Sequence, residues 1–159
     1  MLGPNKEKPT VLILGMGDTG VLVASRLSRH FNVVGVSTKP NLLSVQELGK
    51  RLTDLSWWQT NYNTPLKQFK ALEAVSIVHG KAECVDVAAN AVTVVRVDGE
   101  TESISYDYLV IASGTSNGFW RTDRVQSSSE ISVELSNEAE RIQAASSVTV
   151  VGGGPSGVS

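Results

Sequence analysis

Thr10-Val11-Leu12-Ile13-Leu14-Gly15-Met16-Gly17-Asp18-Thr19-Gly20 is the stretch whose reading decides the fold. Val11 to Leu14 predict a strand buried on both faces, as in a parallel sheet, and Gly15, Gly17 and Gly20 complete a G-x-G-x-x-G turn behind it. Each glycine has its own task. Gly15 permits the tight turn, Gly17 lets a pyrophosphate approach the backbone, and Gly20 lets the following helix pack closely on the strand. That helix is expected from about Gly20 to Arg29, with its positive end and unpaired N–H groups toward the phosphates. The turn as a whole, including Met16, Asp18 and Thr19, is therefore a candidate dinucleotide site, although glycine turns of this spacing also serve packing alone.

Working outward, Val21, Leu22, Ala24, Leu27 and Phe31 have the spacing of a helix with one buried face, and Arg26, Arg29 and His30 suit its C-terminal end. Val33-Val34-Gly35-Val36 then predicts a second strand, completing a βαβ step. A dinucleotide fold often places an acid at the end of this strand, where it accepts hydrogen bonds from the adenosine ribose. Here Ser37, Thr38 and Lys39 occupy those positions. Hydroxyls still bond a ribose but forgo the charge-assisted contact, while Lys39 suggests either a 2′-phosphate or a surface lysine before Pro40.

From Pro40 to Thr64 the pattern is irregular. Leu42, Leu43, Val45 and Leu48 before Gly49 suggest a short helix with a glycine stop. Trp57, Trp58 and Tyr62 read as packing or as a wall over a flat ring. Asn63-Thr64-Pro65 predicts a helix start, with Leu66, Phe69 and Leu72 inward. The runs 75–80, 82–87 and 91–97, separated by Gly80, Asn90 and Asp98-Gly99, predict an antiparallel meander inserted into the parallel fold, with His79 and Cys84 structural within it. Tyr108 to Ala112 predict another buried strand, ending in the small residues Ser113 and Gly114 that admit a ligand. An amphipathic helix is expected over 130–145, capped by Ser128 or Ser129. Val148-Thr149-Val150-Val151 predicts a last strand running into Gly152-Gly153-Gly154-Pro155-Ser156-Gly157, a second G-x-G-x-x-G. No helix follows Ser159 to complete that turn, so the expectation is a piece of something longer.

A chain of 159 residues with a formal net charge of -2 suits one ordinary domain and offers no electrostatic argument for nucleic acid. Met1 to Pro9 lack a signal-peptide core and read as a disordered leader, and no apolar run is long enough to span a bilayer. One cysteine, Cys84, excludes an internal disulfide and any C-x-x-C pair, and with only two histidines, His30 and His79, a metal site has little to draw on. A cytoplasmic or other reducing compartment is the expectation.

Two glycine turns flanking a meander, together with Tyr106-Asp107-Tyr108-Leu109-Val110-Ile111-Ala112-Ser113-Gly114, resemble the flavoproteins with two dinucleotide-binding domains, the pyridine nucleotide-disulfide oxidoreductase superfamily. The resemblance implies a Rossmann-like FAD-binding domain over 10–127, a junction helix over 128–145 and the start of an NAD(P)H-binding domain over 146–159. It implies FAD on Gly15, Gly17 and Gly20, closed by Ala112, Ser113 and Gly114, with adenine near Lys81 and Ala82. NAD(P)H falls to Gly152, Gly154, Pro155 and Gly157. With no cysteine pair, and with Asn117 just past Gly114-Thr115, the chain is most similar to type II NADH:quinone dehydrogenases and apoptosis-inducing-factor-like oxidoreductases. This implies electrons passing from nicotinamide through flavin to a quinone or similar small acceptor, and peripheral membrane association of the full protein is open. A non-catalytic nucleotide-binding fragment and a simple NAD(P)-dependent dehydrogenase remain alternatives, and no residue stands out as an acid or base.

Overall fold

The computed structural model describes residues 8–43, 54–116 and 122–154. A six-stranded sheet runs in the order β7-β6-β5-β2-β1-β8, where β1 is Thr10–Leu14, β2 Asn32–Ser37, β5 Val75–Asp86, β6 Ala91–Arg96, β7 Thr101–Ser105 and β8 Tyr108–Ile111. β5, β2, β1 and β8 are parallel, and β5, β6 and β7 form an antiparallel meander, as expected in kind, but its third strand, β7, lies where no strand was expected. Helix α1, Asp18–Leu27, links β1 to β2 and begins two residues earlier than its apolar pattern indicated.

The continuous apolar run of β1 has a simple cause, because both of its faces are covered. Val11 and Ile13 pack with Ala24 of α1, Val33, Leu66 and Leu72 on one side. Leu12 and Leu14 pack with Val36, Val92 and Val94 on the other, so the meander curls back to form the second layer. Leu12, Ile13, Val92 and Val94 are all fully buried, and each contributes about 1.5–3 kcal/mol of transfer free energy.

Gly80 does not break the chain between two strands as expected; β5 passes straight through it for 12 residues. A Cβ at Gly80 would lie 2.6 Å from the Val95 carbonyl oxygen, so the glycine serves close approach of β6 rather than a turn. One strand thus belongs to both the parallel sheet and the meander.

Other expectations are corrected. Asn41–Leu43 is a strand, β3, paired antiparallel with β4, Asn63–Pro65, where a helix had been expected; Val45, Leu48 and Gly49 lie outside the described residues. Asn41 donates to the Asn63 side chain and the Leu66 N–H to the Pro40 carbonyl, bonds that hold this ribbon extended. Pro65 accordingly ends a strand instead of opening a helix, and Leu66–Gln68 and Lys70–Leu72 are single 3-10 turns. The helix in this region is α2, Leu55–Tyr62, capped by the Asp54 carboxylate on the Trp57 N–H; its polar residues Ser56, Gln59, Thr60 and Asn61 hide any 3.6-residue apolar period. The Trp57 and Tyr62 rings pack against each other, centroids 5.3 Å apart and planes tilted by 50°, which favours packing over a wall for a ligand; the Trp58 side chain lies outside what is described.

Helix α3, Ser128–Ala144, sets Ile131, Leu135 and Ala139 against Leu43, Leu55 and Tyr62. Its cap is Ser127, one residue before the expected serines: Ser127 accepts the Glu130 N–H, and Glu130 reaches back to the Ser127 N–H at 2.7 Å. Pro9, assigned to the leader, already accepts the Asn32 N–H. β8 is an edge strand in which Tyr108 is 57% and Ile111 68% exposed, not a buried one. Nor do Val148 to Val151 form a strand: they have no pairing neighbour among the described residues, and Val151 is 94% exposed.

Candidate functional site

The carboxyl ends of β1, β2 and β8 converge on a cavity of about 600 Å³, within the range of small-molecule sites. Its floor is the glycine turn. Gly15 has φ of +98°, and a Cβ there would meet the Ala112 carbonyl oxygen at 2.5 Å, so β8 and the turn close on each other only because the residue is glycine. Gly17 is the N-cap of α1 and provides no side-chain cap, which leaves first-turn N–H groups to a ligand or water. Nothing lies within 4 Å of a Cβ built on Gly17. The clearance above the turn is therefore space that a side chain would begin to fill and that a phosphate can use.

Gly15, Met16, Gly17, Asp18 and Thr19 line this cavity, as do Ser37, Thr38, Lys39, Lys81, Ala82, Ala112, Ser113 and Gly114. Gly20 stands beneath it: a Cβ would fall 1.9 Å from the Gly15 carbonyl oxygen, the packing task its position foretold. Met16 lines the wall but is only 3% exposed, with its thioether over Gly35. Gly152 and Gly154 are apart from the cavity, and Pro155, Gly157, Asn117 and Trp120 lie outside the described residues.

At the ribose end the side chains behave differently from one another. Ser37, 8% exposed, donates its hydroxyl to the Lys39 carbonyl at 2.7 Å and accepts the Lys39 N–H. Its donor is thereby engaged in a local turn. Lys39 lines the same wall, its ammonium pushed down from the ordinary lysine value chiefly by burial, with Glu134 opposing the shift and Arg124 adding to it.

Several lining residues escaped the sequence reading: Asn41, Leu42, Leu43, Thr115, Ser116, Thr122 and Asp123. Asp123 pairs with Lys81 at 3.2 Å, and Glu83 adds a second carboxylate at 3.5 Å. The bond to Asp123 raises the Lys81 pKa and lowers that of Asp123. The segment behind Asp123 is pinned at Gln126, whose N–H donates to the Thr38 carbonyl and whose carbonyl accepts from His79 Nε2 at 3.0 Å. A carbonyl only accepts, so Nε2 carries the proton, and His79 has the structural role expected of it. Gln126 also donates to Glu134 of α3 at 2.6 Å, and Ser128 to Asn41, tying α3 to both ends of the wall. No local pattern marks these contacts, because most join residues far apart in the chain.

Among the described residues no group of His, Cys, Asp or Glu could hold a metal ion, and no helix is long and apolar enough to cross a membrane. Residues 9–159 match the pyridine nucleotide-disulphide oxidoreductase family. The chain belongs to this family. Apoptosis-inducing factor homolog B of Dictyostelium discoideum is 29% identical over 150 residues, covering 93% of this chain and 36% of that protein. Oxidoreductase ptaL of Pestalotiopsis fici is 39% identical over 84 residues, covering 51% of this chain and 22% of that one. The chain thus spans a fifth to about a third of the relatives it matches. Among solved structures, NDH2 from Plasmodium falciparum superposes with a TM-score of 0.63 at 15% identity, over 89% of this chain and 31% of that one, which is a likeness of fold. FAD and NAD(P)H are the cofactors of this family.

Proposed function

We propose that this chain is the FAD-binding part of an NAD(P)H-dependent flavin oxidoreductase, with the pyrophosphate on Gly15 to Gly20 and adenine beside Lys81 and Ala82. The observation that carries the reading is the pairing of a jammed Gly15 with an open Gly17 at the uncapped start of α1. One glycine holds the turn shut against β8, and the other leaves its outer surface clear for an anion. Bound there, FAD supplies the hydride and electron chemistry, and the chain's residues bind and orient it. Ala112, Ser113 and Gly114 border the far wall; Gly114, at φ of +68°, keeps that wall free of a side chain. The second turn, Gly152 to Gly157, receives NAD(P)H in this reading, and the electrons continue to a quinone or similar small acceptor. Residues 10–127 make up the FAD-binding unit, 128–145 the junction and 146–159 the beginning of the nicotinamide unit.

Reconstitution tests the reading directly. The purified chain mixed with FAD and desalted should keep a yellow chromophore with altered flavin fluorescence, and a colourless protein peak would refute FAD binding. The acceptor is then assayed in the full-length protein by NADH oxidation with soluble quinones, where a rate unaffected by any quinone would exclude that acceptor class.

A further inference from the structure

One short stretch of chain, residues 122–127, joins the wall of the cavity to the amino end of α3. Thr122 and Asp123 line the cavity, and Ser127 is the N-cap of the helix. Between them Gln126 is the only buried residue of the stretch, and its four polar groups are all bonded. Its N–H donates to the Thr38 carbonyl at 2.9 Å, and its carbonyl accepts from His79 Nε2 at 3.0 Å. Its side-chain amide donates to Glu134 at 2.6 Å and accepts from the Thr122 hydroxyl at 3.3 Å. One residue thus fastens together the backbone past β2, the strand β5, the cavity wall and α3.

The stretch has a second anchor. His79 and Lys81 flank Gly80 and so share one face of β5, and Lys81 reaches Asp123 at 3.2 Å. Both anchors are polar. Hydrogen bonds and exposed ion pairs gain little net free energy over their hydrated partners, so 122–127 undocks from the sheet more readily than a segment fixed in the core. The docked and undocked states differ at both ends of the stretch. Undocking withdraws Thr122 and Asp123 from the cavity and Gln126 from Glu134. A ligand that touches Thr122 or Asp123 keeps that contact only in the docked state, so it binds this state more tightly and shifts the population toward it.

We propose that Gln126 is a positioning residue that couples the cavity to α3, so that a nucleotide held in the cavity also orders the amino end of the helix. The inference rests on the cavity being an adenine dinucleotide site, as proposed above. It gives α3 a part beyond packing: the helix responds to a filled cavity although none of its residues lines it.

The test is hydrogen exchange read by mass spectrometry on the whole chain, without ligand, with FAD and with 5′-ADP. A ligand confined to the docked state and present at ten times its Kd slows exchange through undocking about tenfold. That slowing is expected at residues 131–135 of α3, with β7, at the far edge of the sheet, unchanged. Gln126→Glu sets a second carboxylate against Glu134 and should abolish the slowing. Adding Glu134→Gln rebuilds an amide–carboxylate bond in the reverse sense and should restore it. A lower melting temperature in Gln126→Glu with the slowing intact overturns the inference, as does equal slowing in α3 and β7, or no slowing in α3 with either ligand. Where Gln126→Glu does not fold, Asp123→Asn takes its place. It removes the exposed Lys81 anchor and should speed ligand-free exchange at 131–135 by up to about fivefold, and an unchanged rate there overturns the inference. Slowing with 5′-ADP in a chain that releases FAD on desalting overturns the flavin reading and supports the coupling.

Discussion

The first glycine turn, Gly15 to Gly20, and the second, Gly152 to Gly157, share one spacing in two unlike settings. Around the first, every neighbour is close: the Gly15 N–H donates to the Val36 carbonyl, the Ala112 N–H to the Leu14 carbonyl, and Gly20 lies against the Gly15 carbonyl. Around Gly152, Gly153 and Gly154 a built Cβ meets nothing within 4 Å, and the apolar residues leading to them stand exposed. Glycine spacing alone therefore does not make a fixed cradle. In the first turn, strands on both sides and a helix behind convert three missing side chains into a fixed cradle; among the described residues the second has no such surroundings.

The comparison can be broken by substitution, most severely at Gly20. Gly20→Ala should destabilise the fold by about 3 kcal/mol or more, because the obstacle is backbone that has nowhere to move. Urea denaturation should report it as a lower midpoint with unchanged slope. An alanine tolerated there would mean that the turn is not locked as described.

Gly17→Ala separates binding from folding. With open space above it and φ of −77°, the alanine should leave the melting temperature within a few degrees yet weaken FAD by about tenfold or more. Unchanged flavin affinity in a titration of fluorescence would remove the phosphate from this turn. A smaller effect is expected at the α3 cap, where Ser127→Ala should cost about 1 kcal/mol in thermal unfolding. The hydrogen bonds from the Ser127 N–H and hydroxyl hold Glu130 below the ordinary carboxylate pKa. The folded state thus binds this proton less readily than the unfolded one, so the cap's contribution is present above the ordinary glutamate pKa and is lost as pH falls through the lowered value. Glu130→Gln should flatten that part of the stability–pH curve, and an unaltered curve would show that Glu130 is not the titrating group. Smallest of all, Gly154→Ala should leave stability unchanged within about 0.5 kcal/mol, in contrast to Gly20→Ala.

What could be read from the sequence follows from where the determining contacts lie. β1 and β2 announce themselves as short continuous apolar runs, α1 by its 3.6-residue spacing and β6 by alternation, all within short windows. The glycine turn was legible from its spacing behind β1, and the wall at Ala112 to Gly114 from its small residues. Leu42 and Leu43 misled because two adjacent leucines fit a helix as well as a strand, and the choice was made by Asn63 to Pro65, more than 20 residues away. Val148 to Val151 show the reverse: their apolar pattern is strand-like, and with no neighbour to pair with among the described residues it yields no strand. Asp123 and Gln126 carry no local signature at all. They belong to the site through Lys81, Thr38 and His79, and only the assembled sheet brings those together.

β1 has one neighbour, β2, about 20 residues downstream and the other, β8, nearly a hundred residues on; the Thr10 N–H even donates to the Asp107 carboxylate across 97 positions. During synthesis at about 5–20 residues per second, the first strand waits about 5–20 seconds with one edge bare before its second partner exists. The half-made chain therefore carries an apolar, unpaired edge in the crowded space outside the ribosome. Its hazard is greatest before the closing wall of the cavity has been translated.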